Sequence, residues 1–385
     1  MPNGLRAMRT LLPLFILTFL SACAGPQTRY PTPDKAATKV ERIDSQRVQI
    51  KEAIQRDARA WQLLQTLLVD NKVFCQDDLR FKLPVRIHDA RSIKKMMKGY
   101  SPKQIKRAGF NDELLITATT SNQLQVGDEI IALNGELIQN DRQKLRRQLA
   151  SFNMKQKESA GSTGVAKTVE MKVLRDGKTV TVSQELIEQC RVNLATNIGT
   201  NINAYASGKS ITVFAGLINT LDSDRDLALV LAHELAHALG DHTKKLTINA
   251  LASGYIVWGP VTAIAAGLGD IIAQPISELA TGSPERPLSY LSSAAAAASL
   301  KTPQFEREAD YMALYFLKRA GFKLGEAEDM YQILTLLSPY STYGYRSHPT
   351  VAERRLIVRA TIEEINQRAA QGHELIPYGW IEGET

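Results

Sequence analysis

An α+β fold is predicted, in which a mainly helical domain is interrupted by a small β-rich insert. Three observations predict it. Residues 36–70 place Ile50, Ile54, Ala58, Trp61, Leu64 and Leu68 at spacings of three and four among charged neighbours, which marks a long amphipathic helix. Between Cys75 and Cys190 the pattern changes to short strand-like runs at 114–119, 129–133, 169–174 and 179–182, with Asn134-Gly135 and Asp176-Gly177 as hairpin turns. Beyond Cys190 helical periodicity returns: Leu227, Val230 and Leu231 lead to a stop at Gly240, and Thr302-Pro303 opens a further helix with proline at a tolerated first-turn position.

The chain of 385 residues, 44% hydrophobic and 23% charged, is long and apolar enough to bury one large core or two modest ones. Wholesale disorder, collagen-like repeats and a small disulfide scaffold are excluded. At the N-terminus Arg6 and Arg9 precede an apolar run at 11–20, and residues 1–22 read as a secretory signal too short to span a bilayer stably. Leu20-Ser21-Ala22-Cys23 resembles the bacterial lipobox, which implies a lipid on Cys23 and cleavage just before it. Ala24 rather than Asp follows, and the resemblance to sorted lipoproteins then implies the periplasmic leaflet of the outer membrane. Residues 23–38, with Pro26, Pro31 and Pro33, read as a tether, and 39–75 as the N-terminal helix of the main domain. Loss of Arg6 and Arg9 leaves 45 basic against 40 acidic residues, +5, too mild to imply nucleic acid.

Three cysteines are present, and with Cys23 assigned to lipid, Cys75 and Cys190 remain as a pair in an oxidising compartment, so a disulfide is expected. They bracket the insert, residues 76–189. Within it Leu124-Gln125-Val126-Gly127-Asp128-Glu129-Ile130-Ile131-Ala132-Leu133-Asn134-Gly135 resembles the Gly-Asp and Asn-Gly signature of PDZ domains, which implies a PDZ-like fold. A peptide-binding module and a plain β-rich spacer both remain open for it.

The chemistry lies in residues 190–370, ahead of a C-terminal tail at 371–385. A hairpin is expected from Asn203-Ala204-Tyr205-Ala206, the Ser207-Gly208 turn and Ile211-Thr212-Val213-Phe214, with Ala204, Tyr205 and Ala206 as an edge along the cleft. Ser223 and Asp226 form a helix start signal. Inside that helix stands His233-Glu234-Leu235-Ala236-His237, HExxH, whose chance expectation in a chain with six histidines is roughly 0.005, so accident explains it poorly. Residues four apart on a helix are offset by about 40°, so both imidazoles project from one face and can hold a single Zn²⁺. Glu234, about 100° round from His233, stands beside the metal, where a general base belongs. Catalytic zinc needs a third protein ligand and an open position. In Glu306-Arg307-Glu308-Ala309-Asp310, Glu306 and Asp310 share a helix face, offering a ligand and a carboxylate to orient a ligating imidazole, while Glu308 is turned about 160° from Asp310.

HExxH followed by E-x-x-A-D resembles the metalloendopeptidases that include the CAAX prenyl protease, the HtpX-like heat-shock proteases and their periplasmic lipoprotein relatives. The resemblance spans roughly 190–360, with Ser347-His348-Pro349 downstream. It implies a zincin-type domain, Glu306 as third ligand of one Zn²⁺ and Asp310 behind a ligand. His348 is left with three roles: oxyanion donor, reversible fourth ligand, or loop anchor. His242, five beyond His237 and about 140° round, is assigned a structural role. Leu246 to Gly269, 24 residues without a charge, is long enough for a membrane span but, interrupted by glycines and Pro260, reads rather as a buried or membrane-surface helical hairpin, and 281–301 as a lid or loop.

The expected function is that of a lipid-anchored periplasmic zinc endopeptidase acting on misfolded or unassembled envelope proteins. Two rivals are weighed against it: a chaperone-like adaptor of the outer-membrane protein assembly machinery with latched protease activity, and a processing enzyme with one dedicated substrate.

Overall fold

The computed structural model describes residues 31–75, 78–138, 140–158, 168–246, 302–335 and 351–380. The signal segment, Cys23, the apolar run beyond residue 246, the expected lid and His348 lie outside the described residues. Residues 1–45 and 46–385 separate into two compact units, and among the described residues the second contains all of the buried core.

Helix α1 (Lys35–Asp70), from residue 46 onward, is the spine of that unit. Ile50, Trp61, Leu64 and Leu68 of the predicted stripe are buried and Ile54 and Ala58 half-buried, and the stripe serves two cores. Ile50 and Ala53 pack with Ile93, Met96, Met97 and Ile105 around the short helices α2 (Ala90–Met96) and α3 (Pro102–Arg107). Ala60, Trp61, Leu64, Leu67 and Leu68 join the main core further along. Both short helices start from complete capping boxes, Asp89 with Ser92 and Ser101 with Gln104.

The chain enters the next region on β1 (Leu79–Lys82) and leaves it on β8 (Ile187–Cys190), which pair antiparallel with Leu79 opposite Cys190. The expected disulfide, Cys75–Cys190, closes the foot of this neck with Cα atoms 5.5 Å apart and 115 positions of separation. In the chain-entropy view such a cross-link stabilises by about 4–5 kcal/mol. Above the neck, β2 (Val85–His88), β3 (Leu115–Thr119), β4 (Glu129–Leu133), β6 (Thr168–Arg175) and β7 (Lys178–Glu185) form an antiparallel sheet in that order, and β5 (Glu136–Leu137) also pairs with β4. Ile116, Ile130, Leu133, Met171 and Val173 fill its buried face. At both predicted hairpin turns the residues are left-handed, Asn134 at φ 49° and Gly135 at 76°, Asp176 at 48° and Gly177 at 75°, as a type I′ turn requires. Asp128 is buried and accepts from the Gln125 N–H at 2.9 Å and from Arg175 at 2.7 and 2.6 Å. The region is less purely β than expected: α2 and α3 lie in it, as does α4 (Arg142–Glu158). The two short helices are set by caps rather than by a long periodic pattern.

In the main domain β10 (Ala204–Ser207), β11 (Ser210–Phe214) and β9 (Asn193–Asn197) form a sheet in the order β10-β11-β9, so the predicted hairpin has β10 at the edge. The remaining elements are α5 (Ala215–Thr220), α6 (Asp224–Leu239), α7 (Thr302–Arg319), α8 (Ala327–Thr335) and α9 (Val351–Ala370). Leu227 to Ala232 of α6 are fully buried, as is Leu235, so this helix is enclosed on most sides and is a rigid platform for the side chains it carries. The expected start signal does not form its hydrogen bond: Ser223 is the N-cap without a side-chain bond, and Asp226 is engaged by Arg225 Nε at 2.8 Å. Among the described residues no helix is long and apolar enough to cross a membrane.

Candidate metal centre

His233 and His237, one turn apart on α6, meet Glu306 from α7. The two Nε2 atoms are 3.1 Å apart; Glu306 Oε2 is 3.5 Å from His233 Nε2, and Oε1 is 3.4 Å from His237 Nε2. Four ligands placed tetrahedrally about 2.05 Å from zinc are separated by about 3.3 Å, so the three donors already stand at the spacing a zinc ion demands. Among the described residues these three form the group of His, Cys, Asp and Glu donors placed to share a metal ion.

The electrostatics agree with a cation there. Burial opposes charge on His233, but Asp310 and Glu306 more than reverse it and lift its pKa to about 10. Burial likewise works against the Glu306 carboxylate, and His237 and His233 overcome it, holding Glu306 well below the usual range. The pocket therefore wants positive charge, which a metal supplies without protons on the ligating nitrogens.

Glu234 is buried beside the ligands. Burial raises its pKa, partly offset by His237 and His233, and the backbone N–H of Ala206 donates to its carboxylate. That contact fixes β10 against the centre. The Ala206 carbonyl accepts from Thr243 Oγ1 at 3.4 Å, so both outward-facing backbone groups of Ala206 are engaged within the chain. Ala204 is buried, and the Tyr205 ring lies 6.2 Å from that of Phe214.

Behind the ligands stand side chains that orient them. Asp310 Oδ1 is 3.0 Å from His233 Nδ1, and Arg354 of α9 grips Asp310 through Nε and Nη2, both at 2.7 Å, with neither side chain exposed. Arg354 is a residue that sequence reasoning left without a role. His242, expected to be structural and turned away from the metal, instead adjoins a ligand. Its Nδ1 is 2.8 Å from His237 Nδ1, its Nε2 is 3.4 Å from Glu308 Oε2, and its ring stacks on Phe305 at 4.6 Å. The helical angle that put it away from the metal does not apply, because Asp241 adopts φ 51° and turns the chain back before a new helical turn at 242–246. Gly240 ends α6 as expected, yet in an ordinary right-handed conformation; glycine is needed there because a Cβ would lie 2.4 Å from His242 Nε2.

Likeness to known proteins points the same way as this geometry. Residues 171–361 match the family model described as Peptidase family M48. A protein of Vibrio cholerae serotype O1 named "Putative beta-barrel assembly-enhancing protease" is 32% identical over 160 residues, covering 39% of this chain and 28% of that protein. The match thus spans less than a third of the relative's length. No solved structure matches significantly. Peptidases of family M48 are metal-dependent hydrolases, and the family match, the relative and the three converging donors together support the M48 metalloprotease family for this chain.

Proposed function

We propose that this chain is a lipid-anchored periplasmic zinc metalloendopeptidase that hydrolyses peptide bonds of misfolded or unassembled envelope proteins. The observation that carries the reading is the convergence of His233, His237 and Glu306 at zinc spacing with Glu234 buried beside them. Zinc bound there would acidify water and polarise a peptide carbonyl. Glu234, with its pKa raised by burial, takes the proton from the attacking water and returns it to the leaving amine. Substrate lies extended along β10, pairing backbone to backbone, which tolerates varied side chains and suits unfolded polypeptide. In the present arrangement the Thr243 contact to the Ala206 carbonyl and the Ala206 N–H contact to Glu234 both have to yield first. The sheet that carries Gly127-Asp128 and Asn134-Gly135 acts as a PDZ-like module that presents or gates substrate, and the lipobox-like Cys23 anchors the protein at the outer membrane.

Glu234→Gln is expected to keep one zinc per chain while cleavage of casein falls by about a thousandfold. Undiminished cleavage would remove the base. A second reading, an adaptor that assists β-barrel assembly, draws on the name of the Vibrio relative, which joins β-barrel assembly to a protease. The same variant separates the two in cells lacking the wild-type protein: an adaptor survives Glu234→Gln, and a protease does not.

A further inference from the structure

We infer that His242 and Glu308 are positioning residues for the metal ligand His237, forming a relay equivalent to the one Asp310 provides for His233. The inference rests on the reading of His233, His237 and Glu306 as a metal centre. With both Nε2 atoms turned toward the metal position, each ligand imidazole must carry its proton on Nδ1. For His233 that proton faces Asp310, 3.0 Å away. For His237 it faces the Nδ1 of His242 at 2.8 Å, which accepts only if unprotonated, so the His242 proton sits on Nε2, with Glu308 Oε2 at 3.4 Å as a charge contact and not a formed hydrogen bond.

Three further features hold that ring in place. Phe305 stacks on one face, Gly240 leaves the space the imidazole occupies, and Asp241 makes the left-handed turn that brings residue 242 back to the ligand helix. One helix, α7, thus supplies a ligand at Glu306 and an orienting carboxylate for each histidine: Asp310 directly, and Glu308 through an interposed imidazole. The insertion has a geometric reason. Glu308 lies on the face of α7 turned away from Asp310, and a whole ring is required to carry its influence to His237.

The test measures Zn²⁺ affinity of the purified full chain by competition with a chromophoric chelator, alongside the Co²⁺ absorption spectrum and the thermal midpoint of the metal-free protein. Loss of such an orienting partner typically weakens metal binding by about 10–100-fold, which is expected for His242→Ala. His242→Asn places an amide oxygen near the former Nδ1 and should recover most of that loss; Gly240→Ala, which displaces the ring, should resemble His242→Ala. Glu308→Gln should weaken zinc by roughly tenfold or less, because its carboxylate is the partly exposed end of the relay. The Co²⁺ spectrum should change in His242→Ala and revert in His242→Asn, with metal-free midpoints alike. Affinity within twofold of wild type for His242→Ala would overturn the relay while leaving the metal centre standing. Equal losses in His242→Ala and His242→Asn, with lowered metal-free midpoints, would overturn it in favour of simple packing. A wild type that binds no zinc would remove the metal reading and the relay together.

Discussion

Two buried clusters in this molecule have the same composition and opposite behaviour. At the metal centre Arg354 grips Asp310 through two 2.7 Å bonds, and Asp310 lies 3.0 Å from His233. Where β2 meets α1, Arg86 grips Asp57 through two 2.7 Å bonds, and Asp57 lies 3.4 Å from His88. Burial disfavours the charged ring in both, yet His233 is lifted to about 10 while His88 is pushed down to about 4. The difference lies in the company each ring keeps. His233 faces the carboxylates of Asp310 and Glu306; His88 faces Arg86 and Arg142 along with Asp57 and Asp89. An Arg–Asp–His arrangement therefore does not by itself make a cation site. An excess of carboxylates does.

The sharpest way to break the comparison is to remove the arginine from the sealed cluster. Arg354→Met leaves Asp310 buried without its guanidinium and should cost about 3–5 kcal/mol in denaturant melts of the metal-free protein. Arg354→Met/Asp310→Leu should regain most of that stability, because no buried charge is stranded, while zinc affinity stays low because His233 has lost its partner. A single variant within about 1 kcal/mol of wild type would mean that a protonated His233 neutralises Asp310 unaided.

The second cluster makes an acid-sensitivity prediction with a definite sign. The folded pKa of His88, about 4, lies below the ordinary value of 6.5, so between these pH values the unfolded chain binds a proton that the folded chain refuses. The stability it contributes is complete above pH 6.5 and is lost as pH falls toward 4, about 3 kcal/mol in all. Urea melts at pH 7 and pH 4.5 should show most of this loss, and His88→Gln should remove it. Asp57 is also held below its ordinary 3.8, burial notwithstanding, by Arg86 and His88, so its contribution is lost only at still lower pH and does not confuse the window.

These clusters also show how much is legible in a sequence. HExxH needs only a helix, because four residues bring two imidazoles to one face whatever surrounds it. Glu306 and Asp310 stand far from that motif and are picked out by the E-x-x-A-D resemblance. The hairpins of the β-rich region are equally readable, since Asn-Gly and Asp-Gly encode the left-handed turn locally. Arg354 is different: its partner Asp310 is 44 positions away, and nothing short of the packing of α9 on α7 joins them. His242 escapes because an angle extrapolated along α6 fails once Asp241 turns the chain; Gly240-Asp241 is the available sign that the helix does not continue. The Asp57 cluster draws on α1, β2 and, through Thr196 at 2.8 Å, β9, so no single stretch of sequence contains it.

The smallest effect is the most instructive. Arg86→Met removes one of the two arginines facing His88, yet Asp57 keeps its Thr196 hydrogen bond and has an imidazole 3.4 Å away that can take up a proton. The loss at neutral pH should therefore be only about 1–2 kcal/mol, below the usual cost of breaking a buried pair. The gain should appear on the ring: with a stranded carboxylate beside it, His88 should titrate above 6.5 rather than near 4, read from its ring resonances against pH. That single change would turn His88 toward the behaviour of His233. If the ring stays near 4 without Arg86, burial together with Arg142 governs it, and the excess of carboxylates around His233 loses its force as the reason that site would favour a cation.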